Sequence, residues 1–243
     1  MRPDAIENMF ARFAAADPAP QGELTHVDPF TLLVAVVLSA QATDAGVNRA
    51  TPALFAAAST PAAMVALGED RVRDLIRTIG LFNNKAKNVV ALSAALIERH
   101  GGQVPADRDL LEALPGVGRK TANVVMQIAF GADTVAVDTH VFRVANRTGL
   151  APGKTPLAVE DGLMAAIPPR YLGRAHHWLI LHGRYVCKAR RPECWRCVAR
   201  EWCRMPAKVA GPSSGQGLPI EDVPVEGVVT ETADGAPEEV AAS

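Results

Sequence analysis

LEALPGVGRKTANVVMQIAFGADTVAVD, residues 111–138, decides how the rest of the chain is read. It describes a helix, a tight glycine hairpin, a second helix beginning near Arg119, and a short loop that delivers Asp138. The hairpin Pro115-Gly116-Val117-Gly118 places glycines where φ turns positive or where backbone must approach a partner closely. Its successive N–H groups, followed by the free N–H groups of a helix start, form a site suited to one phosphate. Lys120 stands on the first turn beside that site. An ammonium near the positive end of a helix is penalised, so the local field favours a neutral, nucleophilic amine.

LPGVGRKTANVV followed by VAVDTHVFRVANR resembles the endonuclease III family of DNA glycosylases, helix-hairpin-helix enzymes that excise oxidised pyrimidines. The resemblance runs over roughly residues 1 to 208. It implies that Lys120 is the nucleophile and Asp138 the catalytic carboxylate. It also implies that Gln41 enters the duplex to fill the space of an extruded nucleotide, and that Leu81 is an apolar wedge in the base stack. Further DNA contacts are expected from Gly116, Val117, Gly118 and Arg119 at the hairpin, from His140 and Arg143, and from Lys188 and Arg191. Each residue also has a plainer reading. Gln41 serves as a helix-end polar group, Leu81 as a staple over its own helix junction, and Asp138 as the N-cap of the next helix.

The fold expected from composition is all-α, since alanine and leucine abound while aromatic and β-branched alternation is sparse. The first helix presents Ile6, Met9, Phe10 and Phe13 on one face. Asp28-Pro29 caps PFTLLVAVVLSAQ, which is apolar on nearly every side and therefore a buried helix. Shorter helices are expected over Asp44 to Ala57, Pro61 to Leu67 and Glu69 to Ile79, then a long one from about Asn83 to His100. Beyond Asp138 come helices over Thr139 to Arg147, from Pro156 to before Pro168, and over Tyr171 to Tyr185. The second arm of the hairpin is expected to bury Ala122, Val125, Met126, Ala129 and Phe130. His176, His177 and His182 lack a local fourth ligand and read as core-edge or surface histidines. The resemblance implies two helical domains with the active site in the cleft between them. Residues 22–132 form one, and residues 1–21 with 133–208 form the other.

The overall charge of -1 hides an asymmetry. Residues 209–243 carry seven acidic and no basic side chains, leaving 25 basic against 19 acidic, or +6, in the remainder. Arg170 to Lys208 alone holds ten basic residues against Glu193 and Glu201. A charge run by itself is weak evidence, but beside a phosphate-cradling hairpin it favours nucleic acid. The acidic, Gly- and Pro-rich tail at 209–243 is expected to be disordered or loosely docked. The start, MRPDAIENMFARF, has no apolar signal core, and no run approaches about 18 apolar residues, so neither export nor a membrane span is expected.

All four cysteines lie in one 17-residue stretch, Cys187-x6-Cys194-x2-Cys197-x5-Cys203. Four thiolates so close can share one metal centre, and ligand chemistry alone leaves zinc and a four-iron cluster open. The spacing resembles the [4Fe-4S] loop at the C-terminal end of endonuclease III, which implies an iron–sulfur cluster with a structural role.

The function expected is a bifunctional DNA glycosylase and AP lyase of base excision repair. It acts on double-stranded DNA with damaged bases or abasic sites, as a cytoplasmic, nucleoid-associated monomer. Its rivals are a mismatch-specific glycosylase for adenine, thymine or uracil, and a non-catalytic helix-hairpin-helix DNA-binding module.

Overall fold

Asp28 opens the most buried helix of the protein. Its carboxylate accepts the Thr31 N–H at 2.7 Å, while Thr31 Oγ1 accepts the Asp28 N–H at 3.1 Å. This reciprocal cap is of a kind that contributes about 1 kcal/mol. In this computed structural model, which describes residues 1–211, the helix α2 (Pro29–Ser39) is buried at every position from Phe30 to Leu38. It stops two residues short of the expected end because Gln41 takes a left-handed φ of 53°. The expectation for the acidic tail falls, from Pro212 onward, outside the described residues.

Around α2 pack α3 (Asp44–Ala57), α4 (Pro61–Ile76), α5 (Phe82–His100), α6 (Arg108–Glu112) and α7 (Arg119–Phe130). The break expected between two short helices appears inside α4 as a kink at Gly68, and its second half ends at Ile76 rather than Ile79. Leu33, Leu54, Met64, Ile76, Leu92 and Leu111 fill this first hydrophobic cluster. On α7 the buried face differs from the expected one. Ala122 and Val125 are buried, but so are Asn123, Val124 and Gln127, whereas Met126, Ala129 and Phe130 are only partly covered. Two faces of α7 are in use, because the helix packs on α2 and also borders a cavity.

A second cluster is built from α1 (Pro3–Ala16), α8 (Thr139–Thr148), α9 (Pro156–Ala166) and α10 (Pro169–Tyr185). Phe10 is fully buried at its centre, stacked on Tyr171 at 5.6 Å and tilted against Trp178 at 6.2 Å. The Trp178 indole N–H donates to the Asp17 carbonyl, so the ring buries no unpaired donor. Residues 135–137 connect the two clusters. Val135 and Val137 belong to the second and Ala136 to the first. No strand occurs among the described residues.

The hairpin is held from both sides. Asp107 caps α6 through the Leu110 N–H at 2.9 Å, and the Val117 N–H closes onto the Leu114 carbonyl at 3.1 Å. Gly116 has φ of +76°, and a Cβ there would lie 2.8 Å from the Asn88 side chain on α5. Gly118 has an ordinary φ of -105°, and a Cβ there would meet nothing within 4 Å. Gly116 is therefore required by the protein itself, whereas Gly118 keeps its surface open. Gly116→Ala is expected to lower the unfolding free energy by about 1–3 kcal/mol, and Gly118→Ala to leave it within about 0.5 kcal/mol, both read by chemical denaturation.

Candidate active site

Lys120 lies in the first turn of α7, on the wall of a cavity of about 530 Å³. Ser39, Asp44, Lys120 and Gln127 come from the side of the first cluster, and His176 and Arg184 come from α10 of the second. Burial is the main reason that the Lys120 ammonium is held below the ordinary lysine value. Asp138 and Asp44 oppose the shift and Arg184 adds to it. Two carboxylates thus fail to offset the loss of water. The helix-end field invoked from the sequence is not what dominates here; desolvation is.

Asp138 does cap α8. Its Oδ1 accepts the N–H groups of His140 and Val141, each at 2.8 Å, and Oδ2 is not used by the cap. Asp138 is absent from the cavity wall, yet it is near enough to Lys120 to bias its charge. The plain and the chemical readings of this aspartate are therefore compatible.

His176 links these parts. Its Nδ1–H donates to the Ala136 carbonyl at 2.8 Å, two residues before Asp138, and this fixes the tautomer. Burial first, then His177 and Lys120, push it down to about 3, so it stays neutral beside the lysine. Arg184 bonds both Glu23 and Asp44, at 2.5 and 2.6 Å, which ties α10 to the start of α3 across the cavity. Sequence reading assigned none of Glu23, Asp44, His176 and Arg184 to this site, and read His176 as a core-edge or surface histidine. None carries a motif, and only their convergence on one cavity marks them.

Gln41 and Leu81 share a feature invisible in the sequence. They are the two non-glycine residues with positive φ among the described residues, at 53° and 59°. Each such conformation costs on the order of 1–3 kcal/mol and points to a functional constraint. Gln41 is exposed and Leu81 is 55% exposed. The Gln41 carbonyl lies 3.9 Å from where a Cβ on Gly80 would stand, so the two turns are neighbours.

The expected DNA contacts divide. Gly116 and Gly118 are exposed at the hairpin and Val117 is buried beneath it. Arg119 is engaged by Glu160 on α9. Arg143 is spent on the protein, donating to the carbonyls of Gly183 at 2.8 Å and Cys187 at 3.1 Å, and to His140 Nδ1 at 3.2 Å. Lys188 is paired with Glu193, and Arg191 is exposed.

The four cysteines are free thiols lining one small cavity, with Arg147, Arg200 and Lys208 around it. Arg147 Nη1 lies 3.5 Å from Cys187 Sγ and also holds the Lys188 carbonyl at 2.8 Å. Burial, together with the other three sulfurs, raises Cys197 to about 11. No group of three or more His, Cys, Asp or Glu side chains among the described residues closes in tightly enough to hold a single ion. Four thiols converging on one cavity are a donor set that zinc or an iron–sulfur cluster could take up. His182 lies 3.5 Å from Cys197 Sγ and edge-on to Phe13, so it is buried rather than at the core edge, as is His176.

Residues 34–169 match the pattern of the HhH-GPD superfamily base excision DNA repair proteins. The endonuclease III of Treponema pallidum (strain Nichols) is 56% identical over 198 residues, covering 82% of this chain and 94% of its own length. The endonuclease III of Escherichia coli (strain K12) is 53% identical over 201 residues, covering 83% and 95%. A solved structure of a trapped endonuclease III–DNA covalent intermediate, an estranged-adenine complex, aligns with a TM-score of 0.80 at 46% identity. It covers 84% of this chain and 97% of its own.

Lys120 is expected to titrate below an ordinary lysine, and Asp138→Asn to lower its midpoint further, because the carboxylate favours the ammonium. The pH dependence of reductive methylation at Lys120, followed by mass spectrometry, reads both.

Proposed function

This chain belongs to the endonuclease III family, within the HhH-GPD superfamily of base excision DNA repair proteins, and from that premise we propose how its own residues do the work. It is a DNA glycosylase and AP lyase. The observation that carries the residue assignments is Lys120, kept from water on a cavity wall beside a phosphate-sized hairpin and within reach of the Asp138 charge.

The substrate is double-stranded DNA with a ring-damaged pyrimidine or an abasic site. The glycosidic carbon is hidden in the duplex, so the nucleotide is flipped out. Gln41 fills the gap and Leu81 wedges the stack. The N–H groups around Gly116 to Gly118 hold a backbone phosphate, which fixes position without reading sequence. The neutral amine of Lys120 attacks C1', the glycosidic bond breaks, and the base departs taking a proton. Asp138 stabilises the positive charge that develops on the sugar. The C1'–O4' bond then breaks, O4' taking a proton, and the sugar opens to an imine that acidifies the C2' proton; removal of that proton expels the 3' phosphate and nicks the strand. Only an amine can form that imine, so a lysine joins both activities in one site. A mismatch-specific enzyme using activated water would not need Lys120, and a binding module would need neither Lys120 nor Asp138.

The four cysteines fit a [4Fe-4S] cluster, held by Cys187, Cys194, Cys197 and Cys203. When bound, the cluster supplies a rigid cross-link whose negative charge suits the arginines around it. Arg147 secures the loop from α8. The two hydrophobic clusters act as two domains, residues 22–132 and residues 1–21 with 133–208, closing on the lesion from either side. The protein works as a monomer in the cytoplasm, at the nucleoid. No single helix among the described residues is long and apolar enough to cross a membrane.

Borohydride trapping on a thymine glycol duplex is expected to yield a covalent adduct that Lys120→Gln abolishes; strand cleavage by the wild type without an adduct would refute the imine route. The purified protein should show a broad visible iron–sulfur absorption and about four irons per chain. Cys197→Ser should remove both, whereas stoichiometric zinc in place of iron would overturn the assignment.

A further inference from the structure

Arg119 precedes the nucleophile, and its guanidinium is turned toward the protein. Its Nη2 and Nε donate to Glu160 at 2.8 and 3.1 Å, a two-pronged pairing with fixed geometry. Glu160 sits on α9 between Val159 and Leu163 of the second cluster, and its side chain is only 10% exposed. A carboxylate so withdrawn from water is tolerated only with a well-placed partner. That partner belongs to the first turn of α7, on the other side of the molecule's two cores. Nothing in the reaction as described uses Glu160, and the Nε–Nη2 edge of Arg119 is taken by it.

We infer that Arg119 and Glu160 form a positioning latch: α9 holds the start of α7 through this pair, so that Lys120 is kept in the dry space between the two cores, and Arg119 is not a phosphate contact. The inference rests on Lys120 being the nucleophile. The two ends of the latch lie beyond the cavity that Arg184 braces from α10, so the pair and the Arg184–Asp44 bridge secure separate parts of the same junction. Misplacing a reacting group by about 1 Å can cost 100-fold. Opening the junction would also admit water to the amine.

The sign of the pH response separates this role from a purely electrostatic one. The groups that face Lys120 are Asp138 at the start of α8, Asp44 on α3, and Arg184 and His176 on α10. His177 and Glu23 share its cavity. Glu160→Gln leaves all of them in place. Loss of a negative charge by itself would lower the midpoint of Lys120. Loss of the latch would raise it, because the amine regains water.

The test uses the full-length protein with its metal centre, and variants Glu160→Gln, Arg119→Lys, Arg119→Met and Leu163→Ala. Single-turnover imine formation on an abasic duplex is trapped with borohydride between pH 6 and pH 9. Affinity is measured on a duplex with a non-cleavable tetrahydrofuran abasic site. Glu160→Gln and Arg119→Lys should each slow trapping about 10- to 100-fold. They should also raise the pH midpoint and leave affinity within about twofold, since Arg119→Lys keeps the charge that a phosphate would need. Leu163→Ala supplies a destabilised control in the same core, with an unchanged midpoint. Wild-type rates and midpoint in Glu160→Gln would overturn the inference. So would slowing with an unmoved midpoint, matching Leu163→Ala. A loss of affinity in Arg119→Met, with the salt dependence reduced by about one unit, would restore Arg119 as a phosphate contact. If the wild type itself gives no adduct, it is the reading of Lys120 that fails, not the latch.

Discussion

Keeping water away from one amine is the constraint on which this structure depends. A lysine in water is a cation and no nucleophile. Here burial outweighs the pull of Asp138 and Asp44, and Arg184 sides with burial. That balance cannot be built into a single helix. It needs two walls, and the protein supplies them as two hydrophobic clusters with a cavity of about 530 Å³ where they meet.

Several basic groups of the linear chain are instead spent on bonds within the protein, some inside the second cluster and some across the two. Arg143 joins α8 to the carbonyls of Gly183 and Cys187, Arg147 joins α8 to the cysteine loop, and Arg184 joins α10 to Asp44. Arg119 and Glu160 complete the set on another edge. Arginine suits such work because its planar fork reaches several acceptors at once. A count of basic residues therefore overstates the surface available to phosphates.

Backbone strain is concentrated on two adjoining exposed turns. Gln41 and Leu81 both hold left-handed backbone without being glycine, on adjoining turns. Such a conformation is costly in an ordinary turn and is kept where a side chain must be aimed outward.

Most helices were legible in the chain because capping and apolar spacing are local. Asp28-Pro29, Thr155-Pro156 and the Ile6, Met9, Phe10, Phe13 face appear in the structure where the residues put them. The hairpin, the cap that Asp138 makes and the clustering of the four cysteines were legible for the same reason, since each is a short pattern among near neighbours in sequence. The buried face of α7 was not, since Asn123 and Gln127 are covered by contacts from elsewhere in the chain. Nor were His176, which reaches Ala136 forty positions away, Glu160, which reaches Arg119 forty-one away, or the cause of the lowered Lys120 value. Local order follows from residue spacing. Desolvation and long-range pairing exist only after the chain has folded back on itself, so the burial that lowers the Lys120 ammonium was decided by the tertiary structure.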